Sequence, residues 1–168
     1  MKKFLPILLL AFVSLFIFSC DDNDNVVGDG DTYSQMRDVT GNFTNANSYA
    51  FTQGINIEST DVVLVYRYLG DSWQLIPKMM YLSGNREFQY NFVFDSQNVQ
   101  IRIDDENFDL TTLSASEANQ YLNNQKFRIV LVPASANKNA SVNYEDYNSV
   151  IKYYNLDDSK VINIKATK

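Results

Sequence analysis

Between residues 87 and 94 the chain alternates, with Phe88, Tyr90, Phe92 and Phe94 on one side and Glu87, Gln89, Asn91 and Val93 on the other. A period of two puts the four rings on one face of an extended strand, and no helix would gather them. Val99, Ile101 and Ile103 alternate in the same way against Gln100, Arg102 and Asp104. Val62-Val63-Leu64-Val65-Tyr66 is apolar on both faces, and so is Phe127 to Val132 apart from Arg128 near its start. Strands of that kind belong in the middle of a sheet that is covered on each side.

Short links separate these runs. Gly70-Asp71-Ser72, Ser83-Gly84-Asn85 and Asp95-Ser96-Gln97 carry turn chemistry at the right places. The spacing predicts an antiparallel meander of four strands from Asp61 to Asp104. Its second member, Trp73 to Leu82, contains Pro77, which has no N–H to donate, so that strand is an edge or is broken there. Val39 to Phe43, Tyr49 to Phe51, Phe127 to Val132 and Val161 to Lys165 complete the set. The expected fold is mainly β, an antiparallel β-sandwich of about eight strands.

Two segments depart from the strand rhythm. Ser114-Ala115-Ser116-Glu117 matches a capping box, which predicts a short helix from Ala115 to Leu122. Asn143 is placed to cap a C-terminal amphipathic helix from Tyr144 to Tyr154, with Tyr144, Tyr147, Val150, Ile151 and Tyr154 along one face. Asn155 suits the left-handed stop. With 45% hydrophobic residues, eleven Tyr, eleven Phe and one Trp, the chain of 168 residues has ample core material for one domain.

The N-terminus reads as an address. Lys2 and Lys3 precede an apolar run from Phe4 to Phe18, shorter than the roughly 20 residues of a membrane span and suited to a secretory signal peptide. The run ends in Ile17-Phe18-Ser19-Cys20, which resembles a bacterial lipobox, and Cys20 is the only cysteine. Residues 1–19 are therefore expected to be a lipoprotein signal peptide, with Cys20 lipidated and membrane-anchored through its acyl chains. Residues 20–36 form an acidic tether and 37–168 a single sandwich domain. Asp21, Asp22 and Asp24 resemble the acidic export signal of surface lipoproteins in the Bacteroidetes lineage. That points to the outer membrane and the cell surface, with a spacer on the periplasmic face as the alternative.

Chemistry is scarce. The chain has no histidine, which removes His-based triads and His-ligated metal sites. Asp22, Asp24, Asp29 and Asp31 resemble fragments of a calcium loop, but Val26 and Val27 stand where ligands belong. Glu58, Glu87, Glu106 and Asp109 lie near strand ends without a spacing that singles out a carboxylate pair. No nucleophile elbow, phosphate loop or dinucleotide fingerprint is present, so no enzyme activity and no cofactor are expected. A formal charge of −6 speaks against nucleic acid as a partner.

Val39-Thr40-Gly41-Asn42-Phe43, Asp61 to Tyr66, Trp73-Gln74-Leu75-Ile76-Pro77, Phe127 to Ala134 and Tyr147 to Lys152 resemble a family of small flavobacterial lipoproteins. Many members carry a collagen-like Gly-Pro stretch after the lipidated cysteine, where this chain has its acidic tether. The resemblance implies lineage and location and carries no activity with it. Two roles fit such a chain. One is a non-catalytic accessory subunit that docks on an outer-membrane protein. The other is a surface glycan- or ligand-binding module that stacks sugars on Trp73, Tyr68, Tyr81 and Tyr90.

Overall fold

The computed structural model describes residues 35–134 and 142–166, so the expectations for Cys20, Asp21, Asp22 and Asp24 lie outside it. Its strands are β1 (Gln35–Gly41), β2 (Ala50–Gly54), β3 (Val62–Tyr68), β4 (Trp73–Leu75), β5 (Lys78–Leu82), β6 (Arg86–Phe94), β7 (Asn98–Asp104), β8 (Gln125–Val132) and β9 (Ile162–Lys165). Helix α1 spans Ala115–Tyr121 and α2 spans Tyr147–Tyr153. The strands form two sheets, one of five in the order β4-β3-β8-β1-β9 and one of four in the order β2-β7-β6-β5. The mainly β sandwich expected from the alternation is what the chain forms.

The inner faces meet in one core. Val39, Val63, Val65, Phe127, Ile129 and Leu131 of the five-stranded sheet pack against Phe51, Phe88, Tyr90, Val99, Ile101 and Ile103 of the other. Phe127 is fully buried, and its ring meets those of Phe43, Phe51 and Tyr90 at 5.9–6.0 Å between centroids. Gly41 lies under this cluster, where a Cβ would come within 2.6 Å of the Phe51 ring. Glycine is required there by close approach rather than by its backbone angles.

The five-stranded sheet is covered a second time. Leu64, Tyr66, Val130, Val132 and Met36 point to its outer face and pack under Tyr147 and Val150 of α2. That is why β3 and β8 read as apolar on both sides. Helix α1 begins as its capping box predicts, with Ser114 and Glu117 each accepting from the other's backbone N–H.

Four expectations change in detail. β1 opens at Gln35, before Arg37, where the body was expected to begin. The expected meander from Asp61 to Asp104 is divided, because the chain crosses between sheets at Ile76-Pro77, a cis peptide bond. β4 stays as a short partner of β3, while β5, β6 and β7 form a meander in the other sheet. One expected strand is thus two, which raises the count among the described residues to nine. The last strand, β9, pairs with β1 in parallel, so the sandwich is not wholly antiparallel.

The fourth change concerns α2, which starts at Tyr147 under an Asp146 cap rather than at Tyr144 under Asn143. The Tyr66 hydroxyl donates to the Tyr144 carbonyl at 2.7 Å, which holds that peptide in the preceding turn. Asn155 does take the left-handed conformation, with φ of 51°.

Because Phe127 fills the centre of the inner core, Phe127→Ala is expected to lower the unfolding free energy by about 3–5 kcal/mol. Urea unfolding of both proteins measures it. A loss under about 1 kcal/mol would mean that the two sheets do not meet as described.

Candidate functional site

On the outer face of the five-stranded sheet the strand register sets side chains in rows. One row runs Leu75, Tyr66, Arg128, Asp38 and Asn163 from β4 to β9. Arg128 and Asp38 are buried, and the guanidinium clasps the carboxylate with Nε to Oδ1 at 2.6 Å and Nη2 to Oδ2 at 3.0 Å. Nη1 donates to Asp158 at 2.6 Å and also to the Tyr147 hydroxyl. Trp73 lies against the same guanidinium, 4.3 Å from its ring centroid. Burial penalises the Asp38 charge, but hydrogen bonds from Arg128 and Lys126 outweigh that and hold its carboxyl below the usual range. Burial likewise pushes the Tyr147 hydroxyl up, helped by its bond to Asp158, so it remains neutral.

The next row, one step further along the strands, is open to solvent. Trp73 pairs with Tyr68 across β4 and β3, their rings 4.9 Å apart and tilted by 48°. Lys126 of β8 places its Nζ 5.6 Å from each ring while also reaching Asp38 at 2.7 Å. Thr40 of β1 stands opposite Lys126, and Lys165 of β9 opposite Thr40. Thr40 and Lys165 are exposed, Tyr68 is 38% exposed, and Trp73 and Lys126 are half-buried.

Two of the four ring residues singled out for binding are therefore brought together, and two are not. Tyr90 points into the inner core with no exposure at all. Its hydroxyl donates to the Tyr121 carbonyl at 2.6 Å, and the Arg67 guanidinium lies 4.7 Å from its ring. Tyr81, on β5 in the other sheet, is 75% exposed and shares no surface with Tyr68. A common four-ring platform does not form, because odd and even positions of β6 face opposite ways and the Pro77 crossing carries Tyr81 to the second sheet.

Asp38, Arg128, Lys126 and Lys165 were not among the candidates. One signal was Arg128, a charge within a strand buried on both sides, but its partner is 90 residues away. Among the described residues no cluster of three metal-ligating side chains occurs, and no helix is long and apolar enough to cross a membrane.

The second surface with unused bonding capacity is the edge of β6. β5 pairs with β6 only from Arg86 to Tyr90, so Asn91 to Phe94 have β7 on one side and, among the described residues, no strand on the other. The Asn91 side-chain oxygen accepts from the Phe92 N–H at 2.8 Å, in the place a strand would take. Val93 and Phe94 are exposed, and Phe92 stacks on Phe94 with centroids 6.2 Å apart.

Replacing Asp38 by Asn leaves Arg128 and Lys126 without their shared anion, and the expected cost at neutral pH is about 3–5 kcal/mol. The sign with pH follows from the lowered carboxyl. Its stabilisation is complete above the unfolded-state value of about 3.9 and is lost as pH falls through the folded-state value. Unfolding of wild type and Asp38→Asn should therefore differ most at neutral pH and converge as pH falls below that folded-state value. A gap that stays constant would show that Asp38 is not held as an anion.

Comparison with family models, with curated proteins and with solved structures finds no match to this chain. The role of the two surfaces accordingly rests on their own residues and geometry.

Proposed function

We propose that the chain is a non-catalytic lipoprotein of the outer membrane, lipidated at Cys20, exposed at the cell surface and acting as an accessory subunit of an envelope assembly. The observation that carries the accessory role is the uncovered edge of β6. Among the described residues no strand lies beside Asn91 to Phe94 on that side, the Phe92 N–H there is held only by the Asn91 side chain, and Val93 and Phe94 are exposed and apolar, without a charge among the four residues to repel an incoming strand. Strand addition to such an edge joins main-chain hydrogen bonds to side-chain pockets and is a recurring mode of protein recognition. The anchor is supported by the lipobox-like Ile17-Phe18-Ser19-Cys20 and the surface address by Asp21, Asp22 and Asp24.

A second reading is ligand or glycan binding at the open row of the five-stranded sheet. It is favoured by the Tyr68–Trp73 pair with Lys126 poised over both rings.

Purification of the native lipoprotein from gently solubilised membranes tests the accessory role. A stoichiometric outer-membrane partner is expected with wild type and is expected to be lost with Val93→Lys, a change at an exposed position. A partner retained in full by the variant would remove the β6 edge from the account. Cys20→Ala should release the chain from membranes, and protein that survives a carbonate wash on the membrane would contradict the anchor. Alanine at Asp21, Asp22 and Asp24 together should abolish protease digestion on intact cells; unchanged digestion would contradict surface export.

A further inference from the structure

The open row crosses the whole five-stranded sheet as ring, ring, cation, hydroxyl, cation: Trp73, Tyr68, Lys126, Thr40 and Lys165. Strand spacing of about 4.8 Å makes it ~19 Å from end to end. We infer that this row is a binding site for a saccharide chain that carries carboxylates, such as one built from uronic acid units. The inference rests on the second reading above, that this face binds a ligand, and adds the class of ligand.

Charge points the same way. The protein as a whole is at −6, with 20 acidic and 14 basic side chains. Around this row the acidic excess is absent. Arg128, Lys126 and Lys165 stand with Asp38, Asp158 and, at the tip of the hairpin that joins the two rings, Asp71, so the signs balance. Lys165 makes no ion pair among the described residues, and Lys126 spends one of its three donors on Asp38. Two point cations separated by two strand spacings, about 10 Å, can meet anionic groups on successive parts of one chain.

The neighbouring groups suit a sugar. Tyr68 offers a ring for the apolar face of a pyranose, while the Thr40 hydroxyl and the Asn163 amide, both exposed, can bond to hydroxyls. Trp73 supports Tyr68 from β4, and the clasped Arg128 fixes Trp73 in turn, so the ring pair is held before any ligand arrives. A peptide is less well served. The row lies on the face of a sheet, where the backbone groups of its inner strands are already paired, so an extended chain would gain no main-chain bonds there.

Trp73 is the single tryptophan of the chain, so tryptophan emission, excited at the red edge where the eleven tyrosines do not absorb, reports on the surroundings of this one ring. The test titrates the full lipidated chain in detergent with alginate and polygalacturonate oligosaccharides, with neutral dextran oligosaccharides and with poly-glutamate. Saturable change in emission is expected with the two carboxylated sugars only, weakening with added salt. Lys165→Gln should reduce their affinity about tenfold. Because Lys126 also holds Asp38, Lys165→Gln is the decisive variant and Lys126→Gln the secondary one. Equal binding of dextran oligosaccharides would overturn the role of charge while leaving ligand binding at this face intact. Poly-glutamate binding as tightly as the sugars would replace the saccharide with an acidic peptide. Unchanged emission with every probe would overturn both the inference and the reading beneath it.

Discussion

A charge within a doubly covered sheet must find its partners inside the protein, and Arg128 meets that requirement for the whole outer face. β8 is the middle strand of the five, with Phe127, Ile129 and Leu131 toward the inner core and Val130 and Val132 under α2. An unpaired guanidinium at that place would cost several kcal/mol. Asp38 from β1, Asp158 from the C-terminal segment and the Tyr147 hydroxyl from α2 all converge on it. One side chain thus ties two strands, a helix and the chain end to a single point. The same guanidinium sets Trp73, and through Trp73 the ring of Tyr68.

Local patterns made much of the architecture legible. Alternation revealed β6 and β7, two-sided apolar runs revealed the covered strands β3 and β8, and the Ser114–Glu117 box located α1. What escaped depends on contacts between distant residues. Pro77 marks a break in the sequence, but only the packing shows that the chain changes sheets there. Asn143 has the chemistry of a helix cap, yet Tyr66, from another strand, claims the Tyr144 carbonyl and delays the helix. The parallel pairing of β9 with β1 has no local signature at all.

The candidate site was half legible for the same reason. Tyr68 and Trp73 stand on a hairpin joined by Gly70-Asp71-Ser72, so their meeting follows from short-range register. The burial of Tyr90 was legible, since it shares the apolar face of β6 with Phe88 opposite Glu87, Gln89 and Asn91, and a place for it on an exposed platform ran against that alternation. Lys126, Thr40 and Lys165 come from strands far apart in sequence and align only in the assembled sheet. The two surfaces also differ in position. The open row lies by Thr40 at the far end of β1, while the uncovered β6 edge lies near the beginning of β1, where Arg37 donates to the Gly54 carbonyl at 2.8 Å.

The most direct test of this account is a double-mutant cycle on Asp38 and Arg128, with Asp38→Ala, Arg128→Ala and the double variant compared by urea unfolding. If the pair organises the outer face, the single losses will exceed additivity, and the double variant will be more stable than their sum by about 1.5–3 kcal/mol. Additive losses, within about 0.5 kcal/mol, would contradict the account and leave the two residues as independent contributors.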